Sequence, residues 1–329
     1  MLNFFKHNYL AQQIVVVVMA VVLWLPTFIM KPELSTGENN IPLYNMLISL
    51  FTFSPLIVKV IAFAVNVVSI FLFNSMLSAN RLMNKTSSVG ALAFLVMVCS
   101  GSELHLGLPF IFACPFILMA IHTMFLIYQT DTPENYMMNI GYFIALASMF
   151  YYPSMYLMIW VLISFLIMGF KEIRYLLIPV TGFMIVNAIA IGITFIIGDV
   201  DVLLDSYSSF FKDISFSFEL NGGDMIFLFV STVLFFVSII RIFAGRNSER
   251  GGVVRRREGV AIVLTLFSVF IFFTHKPLMS NTLLLMMYAF FYSIALSDVK
   301  KMRLANIIMV LMLLCVLTNK YLPLFGIII

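Results

Sequence analysis

The chain has few charged residues for its length. Of its 329 residues, 10% are Asp, Glu, Lys or Arg, whereas 62% are hydrophobic and the mean hydropathy is +1.08. A water-soluble domain carries roughly a quarter of its residues as charged side chains, because these side chains solvate its surface. The deficit leaves no segment for a soluble domain of ordinary size and indicates a single integral membrane domain over residues 1–329.

Cysteine and catalytic sequence motifs are also scarce. Cys99, Cys114 and Cys315 lie inside apolar runs, where a thiol packs as a small hydrophobic group, so they predict neither a disulfide framework nor a zinc site. The sequence lacks the patterns GxxxxGK[ST], GxGxxG, HExxH and GxSxG. These absences argue against a nucleotide-driven pump, a dehydrogenase, a zinc protease and an α/β-hydrolase.

Long apolar runs dominate what is present. A helix needs about 20 apolar residues to cross the hydrocarbon, and about eleven windows approach this length. They are residues 13–30, 55–79, 88–101, 109–129, 138–152, 154–170, 175–197, 224–244, 259–275, 278–297 and 304–320. Since an open sheet cannot satisfy its backbone in lipid, we predict an all-α, polytopic bundle of transmembrane helices. Residues 43–54, in the first outer loop, are predicted to form a helix in the membrane interface.

The basic residues predict the orientation of this bundle. Lys and Arg in short loops are retained on the cytoplasmic side of a membrane. With the N-terminus inside, the cytoplasmic segments hold 14 of the 19 basic residues and all nine arginines. We therefore predict a cytoplasmic N-terminus and an outside C-terminus. Retention and attraction to anionic lipid explain the basic loop at 241–259, and no nucleic-acid partner is predicted because only Phe243 interleaves its charges.

Four outer-loop residues are candidate catalytic groups. Glu33 and Glu38 lie in the first outer loop, and Glu103 and His105 lie in the second. Carboxylates and an imidazole that face one cavity can activate a hydroxyl acceptor as a base, or hold a divalent metal through Glu103 and His105. The alternative is that these residues are solvated loop positions without a catalytic role.

Two lysines are candidate phosphate-binding groups. Lys59 lies about one turn inside the outer end of its window, surrounded by apolar residues, and Lys276 ends the ninth window at the outer side. We predict that Lys59 faces a cavity near Glu103 or the first-loop glutamates. The alternatives are that Lys59 extends its stem to the interface and that Lys276 marks a helix boundary.

One part of the chain resembles a known group of proteins. The sequences ASMFYYP at Ala147–Pro153 and YLLIPVTGF at Tyr175–Phe183 are similar to a domain-of-unknown-function family of bacterial polytopic membrane proteins. In that family a hairpin resembling A-S-x-F-Y-x-P precedes a helix resembling Y-L-L-I-P-x-x-G-F. The resemblance implies a multi-pass protein of the bacterial inner (cytoplasmic) membrane, and it brings no established activity.

The layout of the outer loops resembles that of polyprenyl-phosphate-dependent membrane glycosyltransferases. Those enzymes have an acidic residue in the first outer loop, then an interfacial helix, and often a second acidic site in the second outer loop. Glu33 or Glu38, residues 43–54 and Glu103 occupy the corresponding places. The resemblance implies a lipid-linked glycan glycosyltransferase or polymerase of the cell envelope that uses a polyprenyl-phosphate-linked sugar at the outer membrane face. The alternative is a non-catalytic membrane subunit or a carrier for an envelope lipid.

Overall fold

The computed structural model describes eleven stretches of the chain. They are residues 2–7, 9–29, 42–51, 54–83, 87–101, 108–127, 132–197, 220–244, 252–274, 277–297 and 302–322. The helices are α1 (Leu2–Phe5), α2 (Leu10–Ile29), α3 (Pro42–Leu50), α4 (Pro55–Ala79), α5 (Val89–Val98), α6 (Leu108–Leu126), α7 (Pro133–Phe150), α8 (Leu157–Met168), α9 (Ile173–Ile197), α10 (Gly222–Ala244), α11 (Gly252–Thr274), α12 (Pro277–Ser297) and α13 (Met302–Tyr321). No strand occurs in these stretches, in agreement with the predicted all-helical class.

The helices are those of a multi-pass membrane protein. Six of them, α2, α4, α6, α9, α10 and α11, are long and apolar enough to cross a bilayer. Each of the eleven predicted windows contains a helix, although α11 begins at Gly252, well before the predicted residue 259. The number of eleven crossings stays a prediction. The helix predicted within residues 43–54 is present as α3, and its position in the membrane interface also stays a prediction.

Two helices form the centre of the bundle. All ten residues of α5 are buried, as are residues 282–296 of α12, and the two helices pack against each other. At the other extreme, α9 exposes large apolar side chains such as Ile189, Ile193 and Phe195. Apolar side chains thus occur both on the surface of the bundle and in its interior. This distribution is expected when lipid, and not water, surrounds the outer helices.

Proline and glycine mark the ends of several helices. Four helices begin with proline, namely at Pro42, Pro55, Pro133 and Pro277. A backbone N–H at the first position would have no acceptor within the helix, so proline, which lacks this N–H, costs no hydrogen bond there. Helix α8 ends at Gly169, whose φ of 97° lies in the left-handed region that glycine adopts without strain. These residues explain why several predicted window edges lie close to the observed helix ends.

Helix α7 crosses α9 at very short range. An added Cβ at Gly141 of α7 would fall on the carbonyl oxygen of Pro179, and one at Gly182 of α9 would fall on that of Met138. Glycine lets two helix backbones approach closely inside a membrane, where such packing replaces the hydrophobic effect as the source of helix association.

The start of α11 joins the ends of other helices. Arg257 is 2% exposed. Its Nε and Nη2 donate to the Phe125 carbonyl oxygen at 3.2 and 2.6 Å, and its Nη1 donates to the Asn80 carbonyl oxygen at 2.7 Å. Arg256 donates from Nη1 to the Met168 carbonyl oxygen at 3.0 Å. These two arginines belong to the predicted cytoplasmic loop at 241–259, which was explained by retention and by attraction to anionic lipid. In the structure they bind the C-terminal carbonyls of α4, α6 and α8, where a positive charge is favourable.

Helix starts gather at this same end of the bundle. The Ala91 N–H of α5 donates to Asn74 Oδ1 near the end of α4 at 3.2 Å. The Ser88 N–H donates to the Phe5 carbonyl oxygen at 2.9 Å, and the Leu2 N–H donates to Asn306 Oδ1 at 2.7 Å. Helices α2, α5, α11 and α13 thus begin where α4, α6 and α8 end. This alternation is the one that successive membrane crossings require.

Candidate functional site

The predicted catalytic residues lie outside the described part of the chain. Glu33, Glu38, Glu103, His105 and Lys276 all belong to segments that the structure does not describe. Their convergence on one cavity, and the metal-binding role of Glu103 and His105, therefore stay predictions. Among the described residues, no group of three or more His, Cys, Asp or Glu side chains could hold a metal ion.

Lys59 lies within the protein. Its side chain is 2% exposed, and its ammonium donates to the Thr27 carbonyl oxygen of α2. Whether the membrane interface lies at this level, as the alternative of a lysine stem that extends to the interface requires, stays a prediction. Whether Lys59 faces a cavity next to the outer-loop glutamates stays a prediction, since those glutamates are not described.

A second buried lysine lies at the same end of the bundle. Lys320, in the last turn of α13, is 2% exposed and donates from Nζ to the Leu23 carbonyl oxygen at 3.1 Å. Leu23 and Thr27 are one turn apart on α2, so the carbonyls that accept from the two ammonium groups are separated by about 6 Å along the helix axis. Helix α2 therefore holds a lysine from α4 and a lysine from α13.

An amide and a carboxylate accompany Lys320. Asn319 Nδ2 donates to Asp224 Oδ1 at 2.6 Å and to the Ser100 carbonyl oxygen at 3.3 Å. Asp224 is 4% exposed and lies close enough to Lys320 for electrostatic attraction. The residue before Asp224 is Gly223, and a Cβ added to Gly223 would collide with the Asn319 side chain. Glycine therefore allows α10 and α13 to approach closely at this point. The start of α10, the end of α5 and the end of α13 meet at this point.

We call Lys59, Asp224, Asn319 and Lys320 the lysine cluster. It carries two potential ammonium groups and one carboxylate, all buried near helix ends. Ionisable side chains inside a membrane bundle are costly and mark binding sites or ion pathways by default. The excess of positive groups among these four residues is the chemistry that suits an anionic ligand.

Further into the bundle, the cluster borders a polar layer between α2, α4 and α5. Asn66 is 2% exposed and donates from Nδ2 to the Cys99 thiol at 3.2 Å. Trp24 is fully buried and packs against Phe63, with ring centroids 5.7 Å apart. Its indole N–H is directed at the same Cys99 thiol, and no other acceptor lies within hydrogen-bond distance of it among the described residues. The thiol is therefore faced by two donors, the Asn66 amide and the Trp24 indole.

Comparison with protein-family models, curated proteins and solved structures finds no match to this chain. The geometry of the lysine cluster and the sequence patterns are therefore the grounds for a functional argument.

Sequence reasoning missed most of this cluster. Lys320 and Asp224 fall at the edges of apolar windows, where a charge is expected to be solvated, and only Lys59 was selected as a buried cation. One feature of the sequence could have indicated their proximity. Asp224 begins the window 224–244 and Lys320 ends the window 304–320. In the predicted topology both positions lie at the outer side of the bundle, which places the two charges at the same level.

Proposed function

We propose that the protein is a lipid-linked glycan glycosyltransferase or polymerase of the cell envelope, acting at the outer face of the bacterial inner membrane. The observation that carries the proposal is the burial of Lys59, together with Lys320, at one end of a transmembrane bundle. A phosphate that leaves water without a partner is too costly to bury, so a site for a polyprenyl-phosphate-linked sugar needs a cation at headgroup level. Lys59 and Lys276 are the proposed substrate-binding residues.

The chemical step is assigned to the outer-loop residues. In this proposal Glu33 or Glu38, or Glu103 with His105, removes the proton from the acceptor hydroxyl. The acceptor oxygen then bonds to the anomeric carbon of the sugar, the bond from that carbon to the phosphate oxygen breaks, and the polyprenyl phosphate leaves. Where Glu33 or Glu38 is the base, Glu103 and His105 can instead hold a divalent metal, which is then the proposed cofactor. The support is the layout of acidic loops around the segment 43–54, which is similar to that of membrane glycosyltransferases.

The experiment is a transfer assay with the purified protein in nanodiscs. The donor is a short-chain polyprenyl-phosphate sugar with a radiolabelled sugar, and the readout is the label that moves from the donor to an envelope lipid extract. Removal of a general base typically lowers a rate by about 10²–10⁴-fold, so Glu103→Gln or one of the first-loop variants Glu33→Gln and Glu38→Gln should lose activity on that scale. Glu172→Gln, at an exposed position between α8 and α9, is the matched control.

The result also tests the alternative function. Normal transfer in all three variants would refute the catalytic assignment of the carboxylates. A wild-type protein that binds the donor and never transfers the sugar would support a carrier or a non-catalytic subunit instead. Loss of activity on removal of divalent ions would support the metal cofactor, and full activity without them would refute it.

A further inference from the structure

Asn80 follows the last residue of α4 and joins three helices. The residue is fully buried. Its Nδ2 donates to the Met76 carbonyl oxygen of α4 at 2.8 Å and lies 3.0 Å from Nδ1 of His122 in α6. Its own carbonyl oxygen accepts from Arg257 of α11 at 2.7 Å. This junction lies at the opposite end of α4 from Lys59.

The contacts of Asn80 determine where the proton of the His122 imidazole lies. An amide nitrogen donates and does not accept. Turning the amide over would bring Oδ1 to the Met76 carbonyl oxygen, and two acceptors at that distance repel each other. The Met76 contact therefore fixes Nδ2 as the atom that faces His122. Nδ1 of His122 must accept this hydrogen bond, which leaves the proton of the neutral ring on Nε2.

A protonated His122 has no acceptor at this position. A proton on Nδ1 would point at the hydrogens of the Asn80 amide. The Oδ1 atom of Asn80 is buried and lies within hydrogen-bond distance of no donor among the described residues, so it does not take the place of Nδ2. The imidazolium would also lie close enough to Arg257 for electrostatic repulsion. Protonation thus removes the hydrogen bond between His122 and Asn80 and adds a second positive charge to the junction.

The helices around α6 do not compensate this charge in the part of the chain that the structure describes. Helix α6 packs against α4, α7 and α12. The described ionisable residues near this end, besides Arg257, are Arg81, Glu134, Tyr136, Glu258 and Tyr292. Glu134 forms an ion pair with Arg174 at 3.6 Å. No described carboxylate forms an ion pair with His122.

We propose that the hydrogen bond between Asn80 and His122 is a proton-sensitive switch, which holds α6 to the ends of α4 and α11 while His122 is neutral and is lost when His122 binds a proton. Arg257 binds the carbonyls of both Asn80 and Phe125, so loss of the neighbouring bond loosens the junction at which α11 begins. Histidine changes its charge between pH 5 and pH 8, so the switch responds to the acidity at this membrane face. The switch is independent of the proposed function, because the lysine cluster lies at the other end of the bundle.

The dependence of stability on pH tests the switch. The ratio of folded to unfolded protein can be measured at a fixed concentration of sodium dodecyl sulfate by tryptophan fluorescence. An imidazole in an unfolded chain titrates near pH 6.5, and each pH unit below this value favours the unfolded chain by up to about tenfold when the folded junction excludes the proton. We therefore expect His122 to lower the ratio by about tenfold between pH 8 and pH 5.5.

Two glutamine variants separate the contribution of His122 from that of other groups. His122→Gln supplies an uncharged acceptor to Asn80, so its ratio should fall about tenfold less than that of the wild type over this pH range. His7→Gln is the matched control, because His7 is exposed and its backbone carbonyl contacts Ser88 at the same end of the bundle. It should keep the wild-type decrease. An equal decrease in His122→Gln and in the wild type would overturn the proposal.

Nitrogen NMR of the wild type tests the switch without any folded His122 variant. The chain has four histidines, so protein labelled with ¹⁵N-histidine gives few signals, and removing the other three histidines assigns those of His122. At about pH 7.5 we expect Nδ1 of His122 to carry no proton and Nε2 to carry one. A proton on Nδ1 at this pH would overturn the proposal, because Nδ1 could not then accept from Asn80.

Hydrogen exchange shows whether protonation opens the junction locally. At pH 5.5 the backbone amides at the end of α6 and the start of α11 should exchange faster in the wild type than in His122→Gln, while the first half of α6 exchanges alike in both. Comparison at one pH cancels the effect of pH on the intrinsic exchange rate. Equal exchange of the two proteins at the end of α6 would show that protonation leaves the junction closed and would overturn the proposal.

Discussion

Replacing Arg257 by methionine should destabilise the bundle, because its guanidinium binds the ends of two helices. The side chain is 2% exposed and makes three hydrogen bonds to two carbonyl oxygens, those of Phe125 and Asn80. Methionine retains much of the apolar stem and removes every donor. The substitution therefore tests the hydrogen bonds more than the packing.

The magnitude follows from the two carbonyls that lose this donor. Each buried polar group left unpaired costs about 1–3 kcal/mol, which sums to about 2–6 kcal/mol for Phe125 and Asn80. Removing the guanidinium also removes the cost of burying its charge, and this relief offsets part of the loss. We expect a decrease of about 3 kcal/mol in the free energy of unfolding, a large fraction of an ordinary protein's stability.

Tryptophan fluorescence can follow this unfolding. The chain has two tryptophans, Trp24 and Trp160, and both are fully buried. The Trp160 indole donates to the Val260 carbonyl oxygen at 3.0 Å, about one turn beyond Arg257, so its emission reports on the start of α11. Titration from a mild detergent into sodium dodecyl sulfate would give the unfolding midpoint.

The control is an exposed arginine at the start of another helix. Arg303 of α13 is exposed, and surface substitutions change stability by about 0.5 kcal/mol or less. Arg303→Met should therefore unfold with the wild-type midpoint. Equal midpoints for Arg257→Met and Arg303→Met would refute the conclusion that the buried arginine stabilises the helix ends.

Two other predictions use different features of the bundle. Gly141→Ala should lower stability by about 1–3 kcal/mol, because the added methyl group would fall on the Pro179 carbonyl and force α7 and α9 apart, and the same detergent titration measures the loss. Gly192→Ala, where nothing lies within 4 Å of the added Cβ, should be neutral or stabilising, and an equal loss at both glycines would contradict the close crossing. A reporter that fluoresces only in the cytoplasm should be bright when fused after Arg257 and dark when fused after Lys276, and brightness at both positions would disprove the predicted orientation.

The existence of the helices could be predicted because hydropathy is a local property. Residues 55–79 form a helix with those same limits, since Pro55 begins it and the apolar run ends near Asn80. The start of α11 could not be placed in this way. Its first two turns contain three arginines, and hydropathy assigns such a sequence to a polar loop regardless of what the arginines contact.

The contacts of the buried charges depend on residues far apart in the sequence. Arg257 binds the Phe125 carbonyl 132 positions away, and Lys320 binds the Leu23 carbonyl 297 positions away. A one-dimensional pattern shows that a charge lies near a helix end, but its acceptor is created only when distant helices pack. Lys59 could be selected from the sequence because its neighbours are apolar. The carbonyl of Thr27, which accepts its hydrogen bond, could not be predicted because it lies on another helix.

Pro26 in α2 has a consequence for the order of assembly. Because proline has no N–H, the carbonyl of Val22, four residues earlier, lacks the donor that another residue at position 26 would supply. If α2 enters the bilayer before α13 has been synthesised, its Val22 carbonyl faces lipid without a donor until Tyr321, 299 positions later, arrives. Docking of α13 then satisfies an acceptor that nothing in α2 itself can satisfy. Part of the affinity between α2 and α13 thus comes from the Val22 carbonyl that Pro26 leaves without a helical donor. A nascent chain that ends before α13 would expose this carbonyl to any other donor beside it, such as a lipid headgroup or an insertion factor.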